Sequence, residues 1–119
     1  MNILMYMFLV IVIVSHFGFM ILEMFFWTHS SIRRLFGMSE EKAKQSKNLA
    51  SNIGLYNGFL AAGLLWGLWI GGLSVMTFFL SCVIIAGIYG GLSAKRALLW
   101  IQGLPAAIAL VLVWAHSSA

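Results

Sequence analysis

Two residues in the first apolar stretch could do chemistry. In VSHFGFMILEMFFWT, Val14 to Thr28, His16 and Glu23 sit among aliphatic and aromatic side chains. A carboxylate in such surroundings can carry a proton, hold a cation or accept a hydrogen bond from a ligand, and an imidazole can shuttle a proton. The two are seven residues apart, which on a helix puts them on nearly one face but about 10 Å apart in rise, too far to share one metal ion. Among the other polar residues within apolar stretches, Asn52, Tyr56, Asn57, Tyr89 and Gln102 are the candidates to join them. The chain has one cysteine, Cys82, so neither an intramolecular disulfide nor a thiolate metal site can be built from this sequence. It contains no phosphate-cradling glycine loop, nucleophile elbow, HExxH or pair of carboxylates within one apolar stretch, which leaves no soluble catalytic template.

Composition says what positions these groups. Of 119 residues 62% are hydrophobic and 8% charged, with a mean hydropathy of +1.00; soluble domains are about 25% charged. A water-soluble domain of this size could not hide so much apolar surface, so the fold class is an all-α integral membrane protein whose solvent is the lipid bilayer. About 20 apolar residues are needed to cross about 30 Å of hydrocarbon. Four segments qualify, about 3–28, 47–70, 74–93 and 97–115, giving a four-transmembrane-helix bundle in a single membrane domain, 1–119. The continuous apolar runs exclude a strand barrel. In the polar connection 29–46, Ser39-Glu40-Glu41-Lys42 has the form of a helix start and predicts a short interfacial helix leading into the second span. The N-terminal MNILMYMFLVIVIV has no basic region or small-residue cleavage site and predicts a retained helix.

The net charge is +4. Its seven basic residues, Arg33, Arg34, Lys42, Lys44, Lys47, Lys95 and Arg96, all lie in the first and third connections. Without interleaved aromatics they do not form a nucleic-acid surface; they read as topology signals beside lipid headgroups, placing those loops in the cytoplasm and both termini outside. Gly54, Gly58, Gly63, Gly67, Gly71, Gly87 and Gly91 recur at spacings that suit close helix seams, within the chain or between copies of a homo-oligomer, dimer or trimer. Trp27, Trp66, Trp69, Trp100 and Trp114 fall near span ends, where indoles anchor at the interface. Pro105 sits in the fourth span, where it frees a carbonyl and tends to kink the helix.

Counted at about 1.5 Å per residue from the cytoplasmic ends, Glu23, Asn52, Tyr89 and Gln102 lie in one band roughly 6 to 8 Å deep, one from each span, with His16, Tyr56 and Asn57 a turn or two deeper. An acid with no base in the spans to pair with is expected to face the interior. The expected site is a cytoplasm-facing polar pocket in which Glu23 meets Asn52, with Gln102 or Tyr89 beside it and His16 or Tyr56 at its floor. The bland alternative is that these groups only cross-link helices by hydrogen bonds worth about 0.6 kcal/mol each.

The runs SHFGFMILEMFFWT, FGMS, NIGLYNGFLAAGLLWG and AGIYGGLSAKRALLWIQGLPAAIAL resemble the small bacterial membrane family known as domain of unknown function 1304, some of whose members are labelled epimerase without support. The resemblance covers nearly the whole chain and is sharpest in LYNGFLAAGL and QGLPA. It implies four membrane helices in the bacterial cell membrane and the polar positions Glu23, Asn52, Tyr56, Asn57, Tyr89 and Gln102, but supplies no activity and no cofactor. Two further likenesses are architectural. Small multidrug exporters also have four helices and a glutamate in the first, although their motifs around it are missing here. The trimeric membrane enzymes of eicosanoid and glutathione metabolism share the orientation, but Leu55 and Tyr56 stand where their second-helix pattern is expected. The favoured reading is binding or transport of a small amphipathic ligand around Glu23. A trimeric enzyme and a structural or partner-stabilising subunit are the alternatives.

Overall fold

The structure, a computed structural model, describes residues 3–70, 72–93, 96–97 and 99–117. The elements in order are α1 (Ile3–Phe25), α2 (Ser30–Phe36), α3 (Glu40–Ile70), α4 (Leu73–Ser93), a π-helical turn (Leu99–Gly103) and α5 (Leu104–Ser117). Four helical segments, Ile3–Phe25, Glu40–Ile70, Leu73–Ser93 and Leu99–His116, are long and apolar enough to cross a membrane, and only 22–39% of each apolar window is buried within the chain. Large apolar side chains such as Ile3, Trp69 and Leu92 stand almost fully exposed, which is the make-up of a membrane protein.

The connection after α1 differs from the expected one. Its short helix is α2, which begins one turn beyond α1, with His29 as N-cap accepting from the Ser31 N–H through Nδ1 at 3.2 Å. It ends at Gly37, whose φ of 64° is the left-handed conformation that closes a helix and favours glycine. The start at Ser39 is where the sequence places it: the Ser39 hydroxyl accepts from the Lys42 N–H at 3.1 Å. The helix it opens does not stop at the interface, however, but runs without a break through the 31 residues of α3. No proline falls between Glu40 and Ile70, and the glycines there are tolerated where packing holds the helix. Ser39→Ala should remove that cap and lower stability by about 1 kcal/mol, read as a drop in thermal midpoint in detergent; an unchanged midpoint would mean that this end of α3 frays freely.

The chain forms two compact units, Ser15–Phe59, and Met1–Val14 together with Leu60–Ala119. In the second, Leu9, Val12, Leu64, Leu80, Val83, Ala106 and Ala109 are buried and glycines set the helix spacing. A Cβ at Gly67 would lie 2.8 Å from Met76 Cγ, and one at Gly63 would enter the Phe79 ring. A Cβ at Gly87 would lie 2.7 Å from the Gly103 nitrogen, and one at Gly91 would lie 2.8 Å from Leu99 Cβ, so α4 touches the π turn backbone to backbone. The Trp114 indole donates to Thr77 Oγ1 at 3.0 Å toward the other end of the same helix pair. The π turn ends two residues before Pro105. Proline has no N–H to give to the preceding turn, and a widened turn next to it accommodates the carbonyl left over. Gly71 and Lys95 lie outside the described residues, and α4 runs on through Gly90 to Ser93.

Candidate functional site

The Glu23 site is built within the Ser15–Phe59 unit by a close approach of α3 to the later half of α1. A Cβ at Gly54 would stand 3.0 Å from Glu23 Cβ and from Met24 Cγ, and 3.1 Å from the Met20 carbonyl oxygen; one at Gly58 would stand 2.5 Å from Met20 Sδ. These two glycines let α3 lie against the α1 backbone. One helical turn along the same face, Asn57, only 9% exposed, donates from Nδ2 to Glu23 Oε1 at 2.6 Å. The bond is at the short end for an amide donor, as hydrogen bonds to carboxylates are.

The expected partner Asn52 is instead exposed, as is Tyr56. The reason is azimuth rather than depth. At about 100° per residue, Asn57 is about 60° from Gly54 and Gly58 about 40°, whereas Asn52 is about 160° away, on the opposite side of α3. The Gly54/Gly58 spacing was the signal that could have chosen Asn57 over Asn52. Tyr56 packs edge-on against Phe59 on the outer side, with ring centroids 5.8 Å apart.

His16 is buried at 1% exposure, with the Phe19 ring edge-on to it at 5.4 Å. Among the described residues no buried side-chain nitrogen or oxygen lacks a partner, so His16 is a satisfied interior histidine. Tyr89 and Gln102 belong to the other unit. The Tyr89 side chain is 73% exposed and its carbonyl accepts from Ser93 Oγ. Gln102 is partly buried in the π turn, where its Cβ lies 3.2 Å from the position a Cβ would take on Gly87. Cys82 is a partly buried free thiol on α4. Among the described residues no three His, Cys, Asp or Glu side chains gather in a metal-binding group.

Beside the site the connection is tied down in a way the sequence did not announce. Trp27, read there as an interfacial anchor, donates from its indole N–H to Ser46 Oγ at 3.0 Å, and that hydroxyl donates in turn to the Lys42 carbonyl at 2.8 Å. The Trp27 ring also packs on Phe36 of α2 at 5.4 Å. Arg33 is half-buried and its Nε donates to the Thr28 carbonyl at 3.2 Å. Arg34, Lys42, Lys44 and Lys47 are exposed, and Arg96 is exposed in the other unit. The Glu40–Lys44 ion pair, 3.3 Å long and open to solvent, adds at most a few tenths of a kcal/mol, about 0.3–0.5.

The family described as "Protein of unknown function (DUF1304)" matches residues 10–114. The chain belongs to this family. The DUF1304 match spans every one of the polar positions above, from His16 to Gln102. Among curated proteins the chain is similar to "Uncharacterized protein YpaA" of Lactococcus lactis subsp. lactis (strain IL1403), 29% identical over 105 residues that make up 85% of this chain and 88% of the relative. No solved structure matches the chain. Within the DUF1304 chain, the feature with chemical capacity is a half-buried carboxylate with one oxygen held by Asn57. No other hydrogen bond to it is found among the described residues. Its remaining lone pairs can accept from an ammonium, a hydroxyl or a protonated group of a bound molecule.

Proposed function

We propose that this DUF1304 protein is a four-span protein of the bacterial cell membrane that binds or transports a small amphipathic molecule carrying a hydrogen-bond donor or a cationic group, and that Glu23 receives that group. Both termini lie outside and the basic segments in the cytoplasm, because every lysine and arginine falls either between α1 and the apolar part of α3 or between α4 and the π turn, and basic segments stay inside. The observation that carries the reading is the Asn57–Glu23 hydrogen bond of 2.6 Å within segments otherwise suited to hydrocarbon. An intramembrane acid with no basic partner is costly, about 2.5–3.5 kcal/mol at a helix centre on insertion scales, and such acids mark ligand or ion sites. Holding Oε1 with an amide orients the carboxyl and leaves Oε2 for the ligand, while the half-exposed position keeps it reachable.

The test is native mass spectrometry of the chain released from mild detergent. Wild type should retain a small-molecule mass that Glu23→Gln loses, with the thermal midpoint of the variant within a few degrees of wild type. No retained mass in wild type, or the same mass retained by Glu23→Gln, would overturn the assignment.

A further inference from the structure

The outer face of α3 presents amides that lipid cannot satisfy. Gln45, Asn48, Asn52, Leu55 and Phe59 follow one another at steps of three, four, three and four residues, and all are exposed, with Tyr56 beside them at 64%. The opposite face, Ala43, Ala50, Gly54 and Asn57, is buried against its own chain. Counted at about 1.5 Å per residue from Lys47, the last basic residue before the apolar part of α3, Asn52 lies about 8 Å and Tyr56 about 14 Å inward. An asparagine side chain cannot snorkel that far to the headgroups as a lysine would, so its amide needs a polar partner at its own depth.

We infer that α3 pairs with α3 of a second copy of this chain in a two-fold dimer, with Asn52 against its equivalent at the centre. Copies inserted in the same orientation have their two-fold axis along the membrane normal, so the two α3 helices run parallel and residues of equal depth meet. An asparagine amide has both donor and acceptor and is therefore complementary to itself, and a 3.5-residue step is the period of a left-handed parallel helix pair, in which one asparagine in the seam sets the register. The glycine seams are not available for this contact. Gly54, Gly58, Gly63, Gly67, Gly87 and Gly91 all face neighbours inside the chain, so an oligomer held by glycine stripes gives way to one held by this polar stripe.

The inference rests on the membrane reading of the previous section but not on the ligand at Glu23, and the experiment separates them. Membranes bearing the full chain in a Cys82→Ala background are first washed with alkaline carbonate. Release of the chain would overturn the membrane reading and this proposal together. In the retained fraction, mild oxidation of Asn52→Cys should yield a disulfide-linked dimer at least five-fold more efficiently than Ile53→Cys, which is exposed at the same depth but about 100° around the helix. Native mass spectrometry should show wild type as a dimer, and Asn52→Leu, a change on an exposed position that leaves the melting temperature of the chain in place, should lower the dimer fraction at least ten-fold. Equal cross-linking at 52 and 53, a monomeric or three-copy wild type, or a dimer indifferent to Asn52→Leu would overturn it.

Discussion

Gly87→Ala should lower the stability of the protein by about 2 kcal/mol or more, whereas Gly18→Ala should raise it by about 0.5–1 kcal/mol. Both glycines lie inside helices, where alanine is intrinsically better by about 0.8–1.0 kcal/mol, so propensity alone would make both changes stabilising. The difference is what the new methyl meets. At Gly18 there is nothing within 4 Å and the propensity gain stands. At Gly87 the methyl would lie 2.7 Å from the nitrogen and 2.9 Å from the Cα of Gly103. Those are backbone atoms, so no rotamer change relieves the overlap; α4 and the π turn must separate, and overpacking of this kind costs about 1–3 kcal/mol or more. The Trp114–Thr77 hydrogen bond joins α4 to α5, the helix that continues the π turn, and resists that separation. Thermal unfolding in detergent, followed by tryptophan fluorescence, should move in opposite directions for the two variants. A Gly87→Ala protein as stable as Gly18→Ala would mean that the close approach of α4 to the π turn does not exist.

The second large effect concerns the Asn57–Glu23 pair, where removing one partner should be worse than removing both. Asn57→Leu leaves the Glu23 carboxyl half-buried without its donor, and Glu23→Leu strands the Asn57 amide, which is 9% exposed. An unmade hydrogen bond at a buried polar group costs about 1–3 kcal/mol, while replacing both partners by apolar groups of similar shape is close to neutral. Each single variant should therefore lose about 1–3 kcal/mol and the double variant should recover most of it. With losses at the low end, about 1 kcal/mol for each single variant, and a nearly neutral double, the coupling energy in the cycle is about 2 kcal/mol, at the upper end for hydrogen bonds between membrane helices. Additive losses would show that the 2.6 Å contact is not an energetic pair. Neither measurement depends on knowing a ligand.

The apolar runs located the four long helices but not the start of α3, which lies at Glu40 rather than near residue 47, because its first two turns are polar and carry no hydropathy signal. Ile3–Phe25, Leu73–Ser93 and the end of α3 at Ile70 fall within a few residues of the segments read from hydropathy. Ser39 was legible as a helix start because a serine hydroxyl before two glutamates has one obvious backbone partner. α2 was not legible, since its cap is a histidine, His29, whose ring does the work usually left to serine or aspartate. The π turn before Pro105 could be anticipated as a disturbance but not as a geometry, because a proline says only which N–H is missing and not how the neighbours accommodate it.

The polar residues divide along the same line. Their depth follows from counting residues along a helix, and that count put Glu23 in one band with Asn52, Tyr89 and Gln102, with His16, Tyr56 and Asn57 a turn or two deeper. Which way each points is a matter of rotation about the helix axis, and polar types say nothing about rotation. That rotation came from packing: Gly54 and Gly58 press α3 onto Met20 and Glu23, which turns Asn57 toward the carboxylate and Asn52 and Tyr56 away from it. Composition and hydropathy are sums over the chain and can be read in one dimension, so the all-α class and four helices long and apolar enough to cross a membrane were legible in the sequence, as was the family through its motifs. The partner of Glu23 was not, because choosing between two asparagines five residues apart requires knowing where two helices touch, and that contact exists only once the chain has folded.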